Sequence, residues 1–228
     1  MYKLKLNIGC GLTAPAGWVN IDNSLNAWLA KWPGLRKILA VLHIISFDEA
    51  NIRWPKDIYI YDVRRDLPFP NNSVEIIYCS HFLEHLSKQD AQFFLKECHR
   101  VLDTNGIIRI IVPDLFSYAE QYVKKAKQIK QEILIGELPA EKFLNDLIIF
   151  EKGSLNENIL IRFYKKICNK DIHKWMYDEY SLIILLKKFG FSNIQRKECY
   201  ESLIEDIEKL DNPERFNDAV CVEAEKIS

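Results

Sequence analysis

The sequence has no apolar run long enough to cross a bilayer, no excess charge of either sign, no paired cysteine motif and no internal repeat. Each absence closes a class of explanation. The longest apolar stretch, Ile38 to Phe47, is broken by His43 and Ser46, and it falls well short of the ~20 residues a spanning helix needs. With 31 Lys and Arg against 32 Asp and Glu, the net charge is -1. That leaves no long-range attraction for nucleic acid or an anionic membrane. Lys124, Lys125, Lys127 and Lys130 form one local basic patch, read as a solvated helix face. The 6 cysteines (Cys10, Cys79, Cys98, Cys168, Cys199, Cys221) are scattered, without Cys-x-x-Cys or a disulfide-like spacing. They read as free thiols in a reducing compartment. The start, Met1-Tyr2-Lys3-Leu4, carries no charged-then-apolar leader, and the cytoplasm is the expected location.

What is present is ordinary globular composition: 228 residues, 48% hydrophobic and 28% charged, enough for one generous α/β domain. Short apolar runs at Leu4 to Ile8, Trp18 to Ile21, Ile58 to Tyr61, Val74 to Cys79 and Ile107 to Val112 predict strands. Apolar residues on successive positions suit a parallel sheet covered on both faces. Ile194 and Ala219 to Val222 supply two late strands. A helix is predicted from the capping pair Ser87 and Asp90, with Ala91, Phe94, Leu95, Cys98, Val101 and Leu102 inward and Gly106 at its exit turn. Another begins after Asp178, turns Leu182, Leu185, Leu186 and Phe189 inward, and ends at Gly190. Two largely helical insertions interrupt the alternation, at about 24–56 and about 115–172. In the first, Trp28 and Trp32, spaced four apart, would either cover a ligand as part of a lid or dock the insertion on the sheet, and docking is the expected account. The second carries Tyr118, Tyr122, Phe143, Phe150, Phe163 and Tyr164.

The run Leu6-Asn7-Ile8-Gly9-Cys10-Gly11 places glycines directly after a buried strand, where backbone N–H groups can approach a ligand closely. With Ala14 it also fits the dinucleotide pattern G-x-G-x-x-A. That pattern expects an intact helix and an acid about 20 residues on. Here Asp22 follows Gly11 by only 11 residues, and Pro15 and Gly17 break the space for a helix. A nicotinamide-dependent oxidoreductase therefore stands as the weaker alternative. A carboxylate at Asp22 would suit two ribose hydroxyls.

The block from Tyr61-Asp62-Val63-Arg64-Arg65-Asp66-Leu67-Pro68 through Ser80-His81-Phe82-Leu83-Glu84-His85-Leu86 resembles the central block of type-11 class I methyltransferases. The order of landmarks agrees, from the glycine turn to the Gly190-Phe191 ending of the late helix. The resemblance implies a Rossmann-like fold with a mostly parallel seven-stranded sheet, and S-adenosylmethionine as cofactor. It places Asn7, Gly9, Cys10 and Gly11 around the methionine part and Asp22 on the ribose. Asp62 would hold the adenine amino group, with Val63 beside the ring, and Ser80 and His81 would line the methionine portion and face the acceptor. The chain departs from the family where the helix after the glycine turn is shortened to a turn or less.

On the acceptor side, His173 is the first candidate general base, and His81 is a second catalytic candidate. Tyr118, Tyr122 and Trp175 are candidate substrate contacts. A metal at His81-x-x-Glu84-His85 is weighed and set aside: His81 replaces the first acid of a ligand pattern, and the string reads as pocket and helix-start packing. No metal is expected. His43 and His99 read as structural. The expected activity is methyl transfer to a small molecule or carbohydrate, such as O-methylation in polysaccharide synthesis. The alternative is an idle methyltransferase-like binding module.

Overall fold

The computed structural model of the chain describes residues 3–129 and 172–227, with positions 140, 143, 144 and 147. Lys130, Phe150, Phe163, Tyr164 and Cys168 lie outside the described residues.

Seven strands form one sheet: β1 (Leu4–Ile8), β2 (Val19–Asp22), β3 (Ile58–Ile60), β4 (Val74–Ser80), β5 (Leu102–Pro113), β6 (Phe191–Arg196) and β7 (Ala219–Lys226), in the order β3-β2-β1-β4-β5-β7-β6. β1 to β5 pair in parallel, whereas β7 is antiparallel to both β5 and β6. This is the mostly parallel seven-stranded sheet expected from sequence.

Helices α4 (Lys88–Val101) and α6 (Glu179–Lys188) cover one face. Ser87 caps α4 by accepting from the Asp90 N–H at 3.1 Å, and Asp178 forms a capping box with Ser181 at the start of α6. Phe94, Leu95, Cys98, Leu182 and Leu186 are fully buried against Ile8, Ile77, Ile108 and Val222. α4 passes directly into β5, which begins at Leu102 rather than Ile107. The β4–β5 register shifts between the Val74↔Leu102 and Ile76↔Ile107 pairs, and Asn105 takes a left-handed φ of 62° there. Gly106 is not the turn-former the sequence suggested. Its missing side chain serves a close approach instead, since a Cβ there would lie 2.8 Å from Leu102 Cδ2.

The opposite face carries no long helix among the described residues. The connection between β6 and β7 covers it, burying Ile204, Ile207 and Leu210 against Ile76, Tyr78, Ile111 and Cys221. β1 and β2 accordingly cross over without a helix, as the glycine-proline spacing implied. The crossover is held by side chains. Asn7 Nδ2 donates to Thr13 O at 2.7 Å and to Asn20 Oδ1 at 2.9 Å, while Asn20 Nδ2 donates to Pro15 O and Trp18 O.

The first insertion is helical, as α1 (Leu25–Ala30), α2 (Pro33–Val41) and α3 (Phe47–Asn51). Trp28 and Trp32 do not dock it: they are 51% and 65% exposed, and Ala27 and Leu29 form the buried side of α1. Helix α5 (Leu115–Ile129) opens the second insertion. No described helix is long and apolar enough to cross a membrane.

Candidate active site

A cleft enclosing about 820 Å³, its open mouth included, lies beyond the carboxyl ends of β1 to β4, where ligands of such sheets bind. Ile8 at the end of β1 and Gly9 after it, Ile21 and Asp22 from β2, Tyr61 to Arg64 after β3, and His81 and Phe82 after β4 line it. Gly9 has φ 69°, and a Cβ there would lie 2.9 Å from Phe82. Glycine is required on both counts. The Gly9 and Cys10 N–H groups donate to Ile21 O, tying the turn to β2. Asp22 completes the tie: Oδ2 accepts from the Gly11 N–H at 2.9 Å, and Oδ1 from the Ser24 N–H at 2.6 Å. Each oxygen keeps a second acceptor position for a ligand.

At the far end, Arg64 forks onto Asp62, with Nε to Oδ1 at 2.8 Å and Nη2 to Oδ2 at 2.5 Å. Val63 is buried and gives the cleft an apolar wall. Of the residues assigned to the cofactor from sequence, Gly9, Asp22, Asp62, Val63 and His81 line the cleft. Asn7, Cys10, Gly11 and Ser80 are not among its lining residues. Asn7 is committed to the β1–β2 crossover, and Cys10 is buried, its thiol pushed up to about 12 by burial and then by Asp22. Gly11 is held by Asp22, and Ser80 faces the Arg215 guanidinium, 3.2 Å from its carbonyl oxygen. Asn23, Ser24, Arg64 and Lys174 also line the cleft. Asn23, Arg64 and Lys174 each adjoin a residue the sequence singled out, and Ser24 follows Asp22 by two positions.

The histidines converge on one carboxylate. Glu84 is fully buried in a 3-10 turn, Leu83–His85, and neither of its oxygens has a hydrogen-bond partner. His81 Nδ1 lies 3.6 Å and His85 Nε2 3.8 Å from Glu84 Oε1. His173 is buried with Nδ1 unpartnered, and its ring centroid lies 5.2 Å from that of His85. The backbone draws this loop onto the turn, because the Lys174 and Trp175 N–H groups both donate to Glu84 O. Burial pushes the Glu84 carboxyl up to about 8 and His85 down to about 4, and it lowers His81 and His173. His81, at φ 49°, donates through Nε2 to Arg215 O at 2.7 Å, so Nδ1 is its basic nitrogen. His81 and His85 reach the cleft wall, whereas His173 sits behind His85.

Tyr118, Tyr122 and Trp175 do not line the cleft. Tyr118 and Tyr122 lie on α5, Tyr122 with its ring 5.1 Å from that of Phe143. Trp175 is 43% exposed, and Lys88 Nζ lies 4.8 Å above its ring.

Residues 45–110 match a family model described as a methyltransferase domain. The match spans Asp62, Ser80, His81, Glu84 and His85. No curated protein matches the chain. Among solved structures, it is 16% identical to a SAM-dependent methyltransferase from Archaeoglobus fulgidus, covering 98% of this chain and 86% of that one at a TM-score of 0.47. A SAM-dependent methyltransferase from Methanosarcina mazei is 15% identical, over 99% and 92% of the two chains, at 0.47. The CurJ carbon methyltransferase is 12% identical, over 99% of this chain and 49% of that one, also at 0.47. The chain thus spans about half the length of that CurJ carbon methyltransferase chain.

Proposed function

We propose that this chain is a class I S-adenosylmethionine-dependent methyltransferase, a reading supported by the methyltransferase-domain match over residues 45–110, and that it methylates a hydroxyl of a small-molecule or carbohydrate acceptor. The observation that carries this reading is the cleft itself, which has ribose-type acceptors on Asp22 at one wall and His81 at another. The residues fit the cofactor. Gly9 brings the backbone to the cleft without a Cβ, Asp22 retains acceptor positions for two hydroxyls, and Val63 offers an apolar surface to adenine. Asp62 would be the partner for the adenine amino group, sharing its carboxylate with Arg64.

When bound, S-adenosylmethionine supplies an electrophilic methyl group on a positively charged sulfur. Methyl transfer to an acceptor hydroxyl would release its proton, which His81 Nδ1 would take up. The products are S-adenosylhomocysteine and a methyl ether. Alignment carries much of the acceleration, and proton removal adds about 10²–10⁴-fold. A near-neutral net charge supports a small or sugar acceptor over nucleic acid. O-methylation during polysaccharide synthesis in the cytoplasm is the specific form proposed.

Isothermal titration with S-adenosylmethionine, followed by trapping of labelled methyl groups from a cell extract, tests the reading. Saturable binding with label recovered as a base-stable methyl ether is expected. Binding without transfer would favour a binding module, and stabilisation by NAD alone would overturn the cofactor.

A further inference from the structure

We propose that Glu84, His85 and His173 hold a divalent transition-metal ion at the inner wall of the cleft. Among the described residues, their ligand atoms all lie within 4.8 Å of one another. Glu84 is 0% exposed, and both of its oxygens lack a hydrogen-bond partner. A buried carboxylate without a partner is costly, and a bound cation is one of the few ways to satisfy it.

The histidines are prepared for this role. A metal-ligating imidazole normally gives its other ring N–H to a backbone carbonyl or carboxylate, which fixes the tautomer and aims the lone pair. His85 Nδ1 lies 3.4 Å from Ile172 O, which leaves Nε2 toward Glu84. His173 is hydrogen-bonded to the Leu147 backbone, which leaves Nδ1 unpartnered. Two imidazole nitrogens and one carboxylate favour manganese, iron, cobalt or zinc over magnesium or calcium, which prefer all-oxygen shells. The His173 loop is pinned over the Glu84 turn by backbone bonds from Lys174 and Trp175, so the ligands converge although they come from separate parts of the chain.

The place of the site gives it a role. His85 lines the cleft beside His81 and Lys174, so an ion there would meet an acceptor hydroxyl and lower its pKa before the proton leaves for His81. That role rests on the hydroxyl-acceptor reading above, whereas metal binding itself does not.

The test uses the full chain, stripped with a chelator and titrated with Co²⁺ as a spectroscopic probe. Visible absorption reports binding, and calorimetry with Zn²⁺ and Mn²⁺ gives affinity. One equivalent is expected to bind, with affinity falling roughly 100-fold or more in Glu84→Gln and in His173→Ala, since even supporting residues commonly carry 10–100-fold. S-adenosylmethionine affinity, measured on the same samples, separates the two proposals: a failed cofactor site with cobalt bound overturns only the methyltransferase reading. Absence of a cobalt spectrum in the wild-type chain would overturn the metal site. If Glu84→Gln unfolds by circular dichroism, His85→Ala carries the test, and wild-type cobalt affinity there overturns the proposal equally.

Discussion

Asp22 commits one acceptor position of each carboxylate oxygen to the backbone, Gly11 on one side and Ser24 on the other. The same carboxylate that would receive a ribose also holds the glycine turn in shape. Asp22→Ala is therefore expected to weaken S-adenosylmethionine by about 10-fold or more, because hydrogen bonds to a charged group contribute ~1.5–3 kcal/mol. Calorimetry gives the value, and an unchanged Kd would remove Asp22 from the site. The glycines make a sharper contrast. Gly9 and Gly11 both have positive φ, 69° and 52°, but a Cβ at Gly9 meets Phe82 at 2.9 Å whereas one at Gly11 meets nothing within 4 Å. Gly11→Ala should lose only the ~1–2 kcal/mol of left-handed backbone strain. Gly9→Ala should lose more, with Phe82 displaced into the cleft. Urea unfolding of the two variants decides, and equal losses would contradict the steric account.

The segment after β3 shows how an element presents a site residue. Asp62 and Val63 sit at its start, and α4 clamps its remainder. Glu97 Oε2 accepts from the Leu67 N–H at 2.8 Å, and Arg100 donates to Leu67 O, Phe69 O and Asn71 Oδ1 while pairing with Glu97 at 2.7 Å. The Arg100 hydrogen bond holds the Glu97 carboxyl below its usual 4.5. A carboxylate depressed on folding stabilises the fold above its ordinary pKa, and that contribution is lost as pH falls through the lower folded value. Glu97→Gln should thus cost ~1–3 kcal/mol at pH 7, with the gap to wild type closing below pH 4.5. Chemical unfolding between pH 3 and 7 measures it, and a pH-independent gap would refute the ion-pair origin. This clamp was not legible in the sequence, although the helix that carries it was: Ser87, Asp90 and the spacing of Phe94, Leu95 and Cys98 announce α4 locally. Strands declared themselves in the same way, through apolar runs. Asn7 looked like a ligand because it adjoins the glycines, and its true partner is visible only once parallel register sets Asn7 opposite Asn20. Glu84 and His173 are separated by the whole of α4, β5 and the second insertion, so no periodicity brings them together on paper. Tertiary structure alone makes that cluster.

Across the molecule, one row of polar side chains runs through the sheet on the face that lacks a long helix. Asn20 pairs in register with Asn7, Asn7 with Tyr78, Tyr78 with Arg109, and Arg109 with Glu223. Arg109 is completely buried and uses its whole guanidinium. It bonds Asp211 at 2.6 Å, Glu223 at 2.7 Å, and the carbonyls of Glu198 and Glu201. Tyr78 adds a bond to Asp211 at 3.2 Å. This network fastens the β6–β7 connection onto the sheet in place of a crossover helix. The same connection supplies Arg215, whose carbonyl receives His81 Nε2 and sets which nitrogen of His81 faces Glu84. Stability and the candidate base are therefore joined through the connection that Arg109 fastens. Arg109→Leu should cost about 3–5 kcal/mol, because it leaves Asp211 and Glu223 buried without their cation. In the folded fraction it should also slow methyl transfer while sparing S-adenosylmethionine affinity, since Gly9 follows β1 and Asp22 ends β2. Unfolding curves with single-turnover rates on the same samples test the coupling. A variant that loses stability but transfers methyl at the wild-type rate would show that the network supports the fold alone.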